Sequence, residues 1–381
     1  MKLKSRITWI LIGILAIFSI MGLDTRTVSS PYQVVALGDS LTTGFEPGVN
    51  QPYGFVDRLY EQALFRGRSE LVNYGVNGLT SSGLKDLLES TVLEKDEKAK
   101  KMKADIEQAQ LITITIGGND FRELPQLVQK MSEEDLSQSI AKGIETYGQN
   151  VTAILTMIYQ WNPQAQVVIA DQYQPVPPMD PTTYEKLNLA TEMFASKLHS
   201  VVDQFKQEDR NIAVAQVAER FRGKEALLTH ILSLDIHPNQ PGYEEMAKAF
   251  AQAIWGKEGY QQVEPGNPVT MVKNGKSFNP PWPAILIQDR TYVTLREYAE
   301  ALGAEVEWDD SVKKVLVKDG SNVIEVQAGS DELTVNGQIT KLSAPVQLVN
   351  DKTYVPLRVL AEGFGLQVEY IEGSRTVFVN Q

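Results

Sequence analysis

The stretch Val-Val-Ala-Leu-Gly-Asp-Ser-Leu-Thr-Thr-Gly at residues 34–44 decides how this chain folds. An apolar, β-branched run followed by a Gly-Asp-Ser turn is typical of a buried parallel strand that ends at the turn. Such a strand delivers Ser40 to the carboxyl edge of a sheet, where open α/β sheets bind their ligands. Ser40 is therefore a candidate nucleophile, provided that another part of the chain supplies a base.

The composition restricts both the partners and the chemistry of the chain. Its 381 residues carry a formal charge of -12, so we expect two domains and no nucleic-acid partner, because no basic stripe exists to neutralise phosphates. The absence of cysteine excludes disulfides, thiolate nucleophiles and cysteine-ligated metals. Any imidazole base must be one of three histidines, His199, His230 and His237.

The amino terminus has the pattern of an export signal. Lys2, Lys4 and Arg6 precede an uncharged apolar run at 7–23, which is at the lower length limit for a membrane-spanning helix. Residues 1–29 are therefore predicted to be either a signal peptide or an N-terminal membrane anchor, and the only part of the chain that meets a membrane. Both alternatives predict an extracellular or cell-surface location.

Residues 30–258 alternate short apolar runs with longer helical patterns. After the first strand, strand candidates occur at 71–73, 111–116, 167–171 and 212–215. Strands that alternate with helices of this length predict an α/β domain, with a parallel sheet covered on both faces.

Three further residues follow strand ends or precede the last helix of this region. Gly78 and Asn119 follow the second and third strands, and His237 stands before the last helix. Serine is a poor nucleophile unless a base takes its proton, and imidazole is the usual base near neutral pH. The N–H groups of Ser40 and Gly78 and the amide of Asn119 are suitable donors for an oxyanion.

These residues resemble the four sequence blocks of the SGNH hydrolases, also called GDSL esterases and lipases. The resemblance covers roughly residues 32–255 and matches Gly-Asp-Ser at Ser40, the glycine at Gly78, Gly-Gly-Asn-Asp at Asn119 and His-Pro-Asn at His237. It implies a flavodoxin-like α/β/α sandwich with a five-stranded parallel sheet. It also implies an ester hydrolase that works through an acyl-enzyme without metal or organic cofactor.

One position departs from the family pattern. The family usually has an aspartate three residues before the histidine, where this chain has Leu234, and the nearest acid is Asp235. Either the loop is offset by one residue so that Asp235 orients His237, or a backbone carbonyl does so. His199 and His230 lie in apolar or amphipathic patterns and are interpreted as structural or solvent-facing. The proline-rich segment 173–178 is interpreted as a wall of the acyl or leaving-group pocket.

A Gly- and Pro-rich linker at 259–269 precedes a region, 270–381, that repeats itself. Arg-Thr-Tyr-Val-Thr-Leu-Arg at 290–296 returns 62 residues later as Lys-Thr-Tyr-Val-Pro-Leu-Arg at 352–358. This pattern predicts a smaller α+β domain made of two similar 62-residue repeats. The region resembles the copper amine oxidase N-terminal-like (stalk) domain. Because no histidine or cysteine follows His237, a copper site of the imidazole type is excluded and a non-catalytic domain is expected.

The sequence therefore predicts an exported serine hydrolase that cleaves carboxylic esters, with a small-molecule or lipid ester as substrate. The C-terminal region is expected to space, anchor or bind at the cell surface. Two alternatives stay open: an O-acetyl esterase acting on cell-wall polysaccharide, and a catalytically weak surface-binding protein. The displaced aspartate is the feature that keeps the second alternative open.

Overall fold

A computed structural model describes residues 30–92, 96–122, 130–263, 269–278, 281–288, 290–309, 311–312, 314–320, 322–342 and 344–380. The predicted signal peptide or anchor at 1–29 and part of the predicted linker, 264–268, lie outside these ranges. Within them, no helix combines the length and the apolar character needed to cross a bilayer.

The N-terminal region is built on one parallel sheet in the order β2-β1-β3-β4-β5. Its strands are β1 (Tyr32–Gly38), β2 (Ser69–Gly75), β3 (Leu111–Thr115), β4 (Gln166–Ala170) and β5 (Ile212–Ala215). Every neighbouring pair is parallel. This strand order is that of flavodoxin-like sheets, and it confirms the predicted α/β fold with five parallel strands.

Helices cover both faces of this sheet. They are α1 (Ser40–Thr43), α2 (Phe55–Leu64), α3 (Ser81–Val92), α4 (Glu97–Gln108), α5 (Glu133–Trp161), α6 (Pro181–Gln207), α7 (Val217–Phe221), α8 (Glu225–Leu228) and α9 (Gln240–Trp255). Alternate residues of β1 enter different cores. Val35 and Leu37 pack with α3 to α6, whereas Val34 and Ala36 pack with α2 and α9. Because both faces are buried, the strand is apolar throughout instead of alternating with polar residues.

The C-terminal region is mainly β-structure with two helices among its described residues, α10 (Leu295–Ala301) and α11 (Leu357–Gly363). Its strands are β6 (Thr270–Lys273), β7 (Lys276–Ser277), β8 (Ile285–Ile287), β9 (Arg290–Thr294), β10 (Glu305–Asp309), β11 (Lys314–Asp319), β12 (Asn322–Val326), β13 (Glu332–Val335), β14 (Gln338–Lys341), β15 (Gln347–Val349), β16 (Lys352–Pro356), β17 (Gln367–Ile371) and β18 (Thr376–Asn380). They form three sheets, β10-β11-β12-β13-β14, β15-β16-β9-β8 and β17-β18-β6-β7.

Strands β9 and β16 pair around a local two-fold relation. Val293 lies opposite Val355, Tyr292 opposite Pro356 and Thr294 opposite Tyr354. Positions 292, 293 and 294 and positions 354, 355 and 356 are 62 residues apart, the spacing of the predicted repeat.

The C-terminal region packs against α2 and β2 of the N-terminal region. Phe65 meets Phe378 edge to face, with ring centroids 5.1 Å apart. The Asn380 amide donates to the carbonyl oxygens of Leu64 (2.8 Å) and Gly67 (3.0 Å), which follow the end of α2. At the same interface the hydroxyl of Ser374 donates to the buried carboxylate of Glu61. Burial raises the pKa of Glu61 to about 7, while the hydrogen bond from Ser374 opposes the rise.

Candidate active site

Local geometry at the end of β1 presents Ser40. Gly38 has φ +144°, and a Cβ there would lie 2.2 Å from the carbonyl oxygen of Thr115, so only glycine allows the strand to end this close to β3. Asp39 caps α1 by accepting from the Leu41 N–H at 3.0 Å, and its Oδ1 also accepts from the Thr115 hydroxyl. Burial raises the pKa of Asp39 to about 6. Ser40 is thereby held as the first residue of α1, beside the carboxyl edge of the sheet.

His237 lies between Ser40 and Asp235. Its Nε2 is 2.8 Å from the Ser40 Oγ, and its Nδ1 is 2.7 Å from the Asp235 Oδ1. An ionised carboxylate only accepts hydrogen bonds, so the Nδ1 carries the proton and the Nε2 is free to accept from the serine hydroxyl. The Phe45 ring meets the imidazole edge to face at 4.6 Å. The three side chains therefore form one hydrogen-bonded series.

The loop before His237 explains how an acid two residues upstream reaches the imidazole. Asp235 Oδ1 also accepts from the backbone N–H of His237 at 2.8 Å, which is the bond of an Asx turn. Leu234, just before it, has φ +62° at the end of the short 3₁₀ turn Ile231–Ser233. The left-handed conformation costs a leucine roughly 1–2 kcal/mol. Of the two groups considered for orienting His237, the carboxylate of Asp235 is the one that contacts Nδ1.

Asn119 stands in the 3₁₀ turn Gly118–Phe121 after β3 and lines one cavity together with Ser40 and His237. Its amide donates one hydrogen bond to the Leu79 carbonyl at 2.9 Å, which leaves its second N–H for another acceptor. Gly78, with φ +77°, immediately precedes Leu79 but is not among the residues that line the cavity. The structure thus brings Ser40, Asn119 and His237 to one cavity and places Gly78 in the adjoining loop.

The cavity extends from Ser40 into an apolar chamber between α5 and α6. Its volume is about 200 Å³. The apolar side chains that line it belong to the turn after β3, to the segment after β4 and to the two helices: Phe121, Ile140, Val176, Leu187, Ala190 and Phe194. Residues 173–176 of the proline-rich segment run along it, and the Tyr173 hydroxyl donates to the Ile236 carbonyl at 2.8 Å.

A half-buried pair, His230 and Glu46, which the sequence did not predict, holds the histidine loop. His230 Nε2 is 2.9 Å from the Glu46 Oε1, and Glu46 also accepts from the Gln240 amide. The His230 N–H donates to the His237 carbonyl at 2.9 Å. The pair therefore connects the loop that carries His237 to the loop after α1. The sequence predicts a structural or solvent-facing role for His230, and no sequence motif includes Glu46. His199 lies on α6, outside this arrangement.

The fold and these side chains together define the class of protein. A parallel α/β sheet carries a serine, an imidazole and a carboxylate in hydrogen-bonded order at its carboxyl edge, beside an apolar chamber. The chain is a carboxylic ester hydrolase.

Comparison with known proteins gives the family. The model of the GDSL-like Lipase/Acylhydrolase family matches residues 36–245, more than half of the chain, and the chain belongs to that family. The Copper amine oxidase N-terminal domain matches residues 272–379. Both findings confirm the resemblances recognised in the sequence.

Two curated relatives and one solved structure each cover 59% of this chain. The uncharacterized protein YpmR of Bacillus subtilis is 27% identical over 230 residues, which cover 59% of this chain and 82% of the relative. The spore germination lipase LipC of Bacillus licheniformis is 26% identical, over 59% of this chain and 97% of the relative. The crystal structure of the lipase Lip_vut3 from a goat rumen metagenome is 22% identical with a TM-score of 0.46, and covers 59% of this chain and 98% of that one.

Proposed function

We propose that this chain is an exported serine hydrolase that cleaves esters of apolar acyl chains through an acyl-enzyme. The observation that carries the proposal is the hydrogen-bonded series Asp235–His237–Ser40 at the mouth of an apolar chamber. A serine in such a series differs from an ordinary surface serine because the base that takes its proton is already in contact.

The mechanism follows from the contacts of His237. Its Nε2 takes the proton of Ser40 as the Oγ attacks the ester carbonyl, and Asp235 stabilises the imidazolium through Nδ1–H. The N–H groups of Ser40 and Gly78 and the second amide N–H of Asn119 hold the oxyanion. As the C–O bond to the alcohol breaks, His237 returns the proton to that oxygen. Water then repeats the sequence on the acyl-enzyme, which releases the carboxylic acid and restores the serine.

The chamber supports an acyl chain as the group that is recognised. An engineered apolar cavity of about 150 Å³ binds benzene, and scaling by volume gives room for about eight carbon atoms here. An acetyl group would leave most of an apolar chamber unfilled, so we favour acyl or lipid esters over O-acetyl esters of polysaccharide. Apolar residues, among them Phe121, Ile140, Leu187 and Phe194, outnumber the polar residues Arg122, Gln172, Gln174 and Thr191 in the lining of the cavity.

The domain assignment and location belong to the same proposal. Residues 1–29 serve as signal peptide or anchor, 30–258 form the hydrolase, 259–269 the linker and 270–381 a non-catalytic domain made of two repeats. The basic and apolar pattern of the first 29 residues supports export. The C-terminal domain, none of whose described residues lines the cavity, then serves to hold the hydrolase at the cell surface.

Labelling with a fluorophosphonate probe tests the nucleophile. We expect the wild-type chain and Ser233→Ala, whose serine is exposed on the histidine loop, to be labelled equally, and Ser40→Ala not to be labelled. A series of p-nitrophenyl esters from acetyl to palmitoyl tests the substrate class, and kcat/KM should be greatest near octanoyl. Unlabelled but folded wild-type protein refutes the serine mechanism, and a maximum at acetyl refutes the acyl-chain assignment.

A further inference from the structure

The turn between β17 and β18, residues 372–375, contacts the hydrolase region at Tyr53. Gly373 lies so close to the Tyr53 ring that a Cβ on it would be 2.1 Å from the ring Cγ. The next residue, Ser374, donates its hydroxyl to Glu61, and the other carboxylate oxygen of Glu61 accepts from the Tyr53 hydroxyl at 2.6 Å. The C-terminal region therefore fixes the ring of Tyr53 directly and its hydroxyl through Glu61.

Arg58, on α2, is the next contact of Tyr53. Its guanidinium carbon lies 3.8 Å from the centroid of the Tyr53 ring, and its Nη1 donates to the Tyr53 carbonyl at 2.7 Å. Its Nη2 donates to the side-chain oxygen of Gln240 at 3.0 Å. Arg58 is only 7% exposed, and its hydrogen-bond acceptors among the described residues are neutral oxygens. Because burying a cation against neutral acceptors carries a desolvation cost, stability alone does not account for an arginine at this position.

Gln240 and Glu46 continue these contacts to the loop that carries His237. The Gln240 amide nitrogen donates to Glu46 Oε2 while the amide oxygen accepts from Arg58, so both ends of the amide are fixed. Glu46 Oε1 contacts His230 Nε2 at 2.9 Å, and the backbone N–H of His230 donates to the His237 carbonyl. Since His230 precedes His237 in the chain and Gln240 follows it, these contacts hold the loop on both sides of the catalytic histidine.

We propose that Arg58 is a positioning residue for His237, and that the β17–β18 turn of the C-terminal region holds Arg58 in place through Tyr53. The proposal rests on the ester-hydrolase function and deepens it. Ser40 gives its proton to His237 across a contact of 2.8 Å, and a misplacement of about 1 Å can cost about 10²-fold in rate. Neither Arg58 nor Gln240 lines the cavity, so the effect falls on kcat and not on KM.

Two substitutions in the full chain, one from each end of this series of contacts, test the proposal. Arg58→Met keeps the apolar length of the buried side chain and removes its donors, and Gly373→Ala adds a methyl group against the aromatic ring. The matched control for the first is Arg296→Met, which removes an arginine that is 53% exposed on α10. The control for the second is Gly363→Ala, whose methyl group would meet the Ile324 side chain within the C-terminal region. Thermal unfolding verifies that each variant is folded.

We expect Arg58→Met to lower kcat on p-nitrophenyl octanoate about tenfold with KM within about twofold. Gly373→Ala should lower kcat at least about threefold, and the double variant should be no slower than Arg58→Met alone. Both controls should keep the wild-type kcat. Gln240→Leu, which interrupts the contacts one step nearer the loop, gives the same test if Arg58→Met does not fold. A wild-type kcat in the folded variant overturns the positioning role, and additive losses, or equal kcat in Gly373→Ala and Gly363→Ala, overturn the role of the C-terminal turn.

Hydrogen–deuterium exchange separates this proposal from the hydrolase function. The N–H of His230 is bonded to the His237 carbonyl, so a loop that is held less firmly exchanges its amide hydrogens faster. We expect peptides that cover 229–240 to exchange at least about threefold faster in Arg58→Met and Gly373→Ala than in the wild type and the controls. Unchanged exchange in both variants overturns the proposal. If the wild type cleaves no ester and is not labelled by a fluorophosphonate, the hydrolase function fails, while exchange still reports on how the loop is held.

Discussion

Replacing Asp235 by asparagine tests the most unusual feature of the site. Asparagine keeps an oxygen in the same position, so the Asx turn to the His237 N–H is retained, but the negative charge beside Nδ1 is lost. The lost interaction is one charge-assisted hydrogen bond of 2.7 Å, to a carboxylate whose side chain is 31% exposed. Hydrogen bonds to charged groups contribute about 1.5–3 kcal/mol, and each 1.36 kcal/mol is about tenfold in rate.

We therefore expect kcat to fall by about 10- to 150-fold on p-nitrophenyl octanoate, with KM changed by less than about twofold. This expected loss is smaller than the loss of about 10⁴-fold in kcat that a full catalytic triad shows when its acid is replaced by the amide. Asp203→Asn, an exposed acid on α6, is the matched control and should leave kcat unchanged. Thermal unfolding verifies that both variants are folded. A folded Asp235→Asn enzyme with the wild-type kcat would show that the carboxylate does not assist His237.

Three further predictions concern the chamber, the histidine loop and the interface. Ala190→Phe fills the chamber and should lower kcat/KM for the octanoyl ester at least about tenfold while sparing the acetyl ester; equal losses on both esters would contradict the chamber assignment. Glu46→Gln and His230→Ala should each lower kcat about tenfold, and the double variant should lose no more than either alone; additive losses would show that the two residues act separately. The pKa of Glu61 is raised to about 7 from an ordinary 4.5, so the folded state favours the protonated acid. The free energy of unfolding is therefore highest below about pH 4.5 and falls by about 3 kcal/mol as the pH rises through 7. The melting temperature of the wild-type protein should fall over this pH range, and that of Glu61→Gln should change less. Parallel profiles of melting temperature against pH for the two proteins would refute the prediction.

The parts of the fold that could be read from the sequence depend on neighbouring residues. The run at 34–37 is apolar at every position because both faces of β1 are buried. The turn that presents Ser40 depends on a glycine with positive φ two residues before the serine and on a capping aspartate directly before it. Residue identity at these positions limits the backbone to few conformations, so the local pattern is informative.

Other features depend on contacts between distant segments. Glu46 and His230 are separated by 184 residues, and nothing near either one indicates the pairing. The chamber is lined by residues of α5, α6, the turn after β3 and the segment after β4, which are far apart in the sequence. The packing of Phe378 and Asn380 on α2 likewise joins residues more than 300 positions apart.

The sequence alone determined the class of sheet and the two matched family regions, and it predicted Ser40 as the nucleophile and His237 as its base, because each of these is expressed in a local pattern of apolar, glycine and capping residues. Only the tertiary structure decided which group contacts His237 Nδ1. Leu234 adopts a left-handed backbone conformation that leucine does not favour. The residue type at this position therefore does not predict the turn that brings Asp235 to the imidazole. The loop that carries His237 contacts Ser40 through His237 and Glu46 through His230. These contacts between distant segments hold the turn in which Asp235 reaches the imidazole.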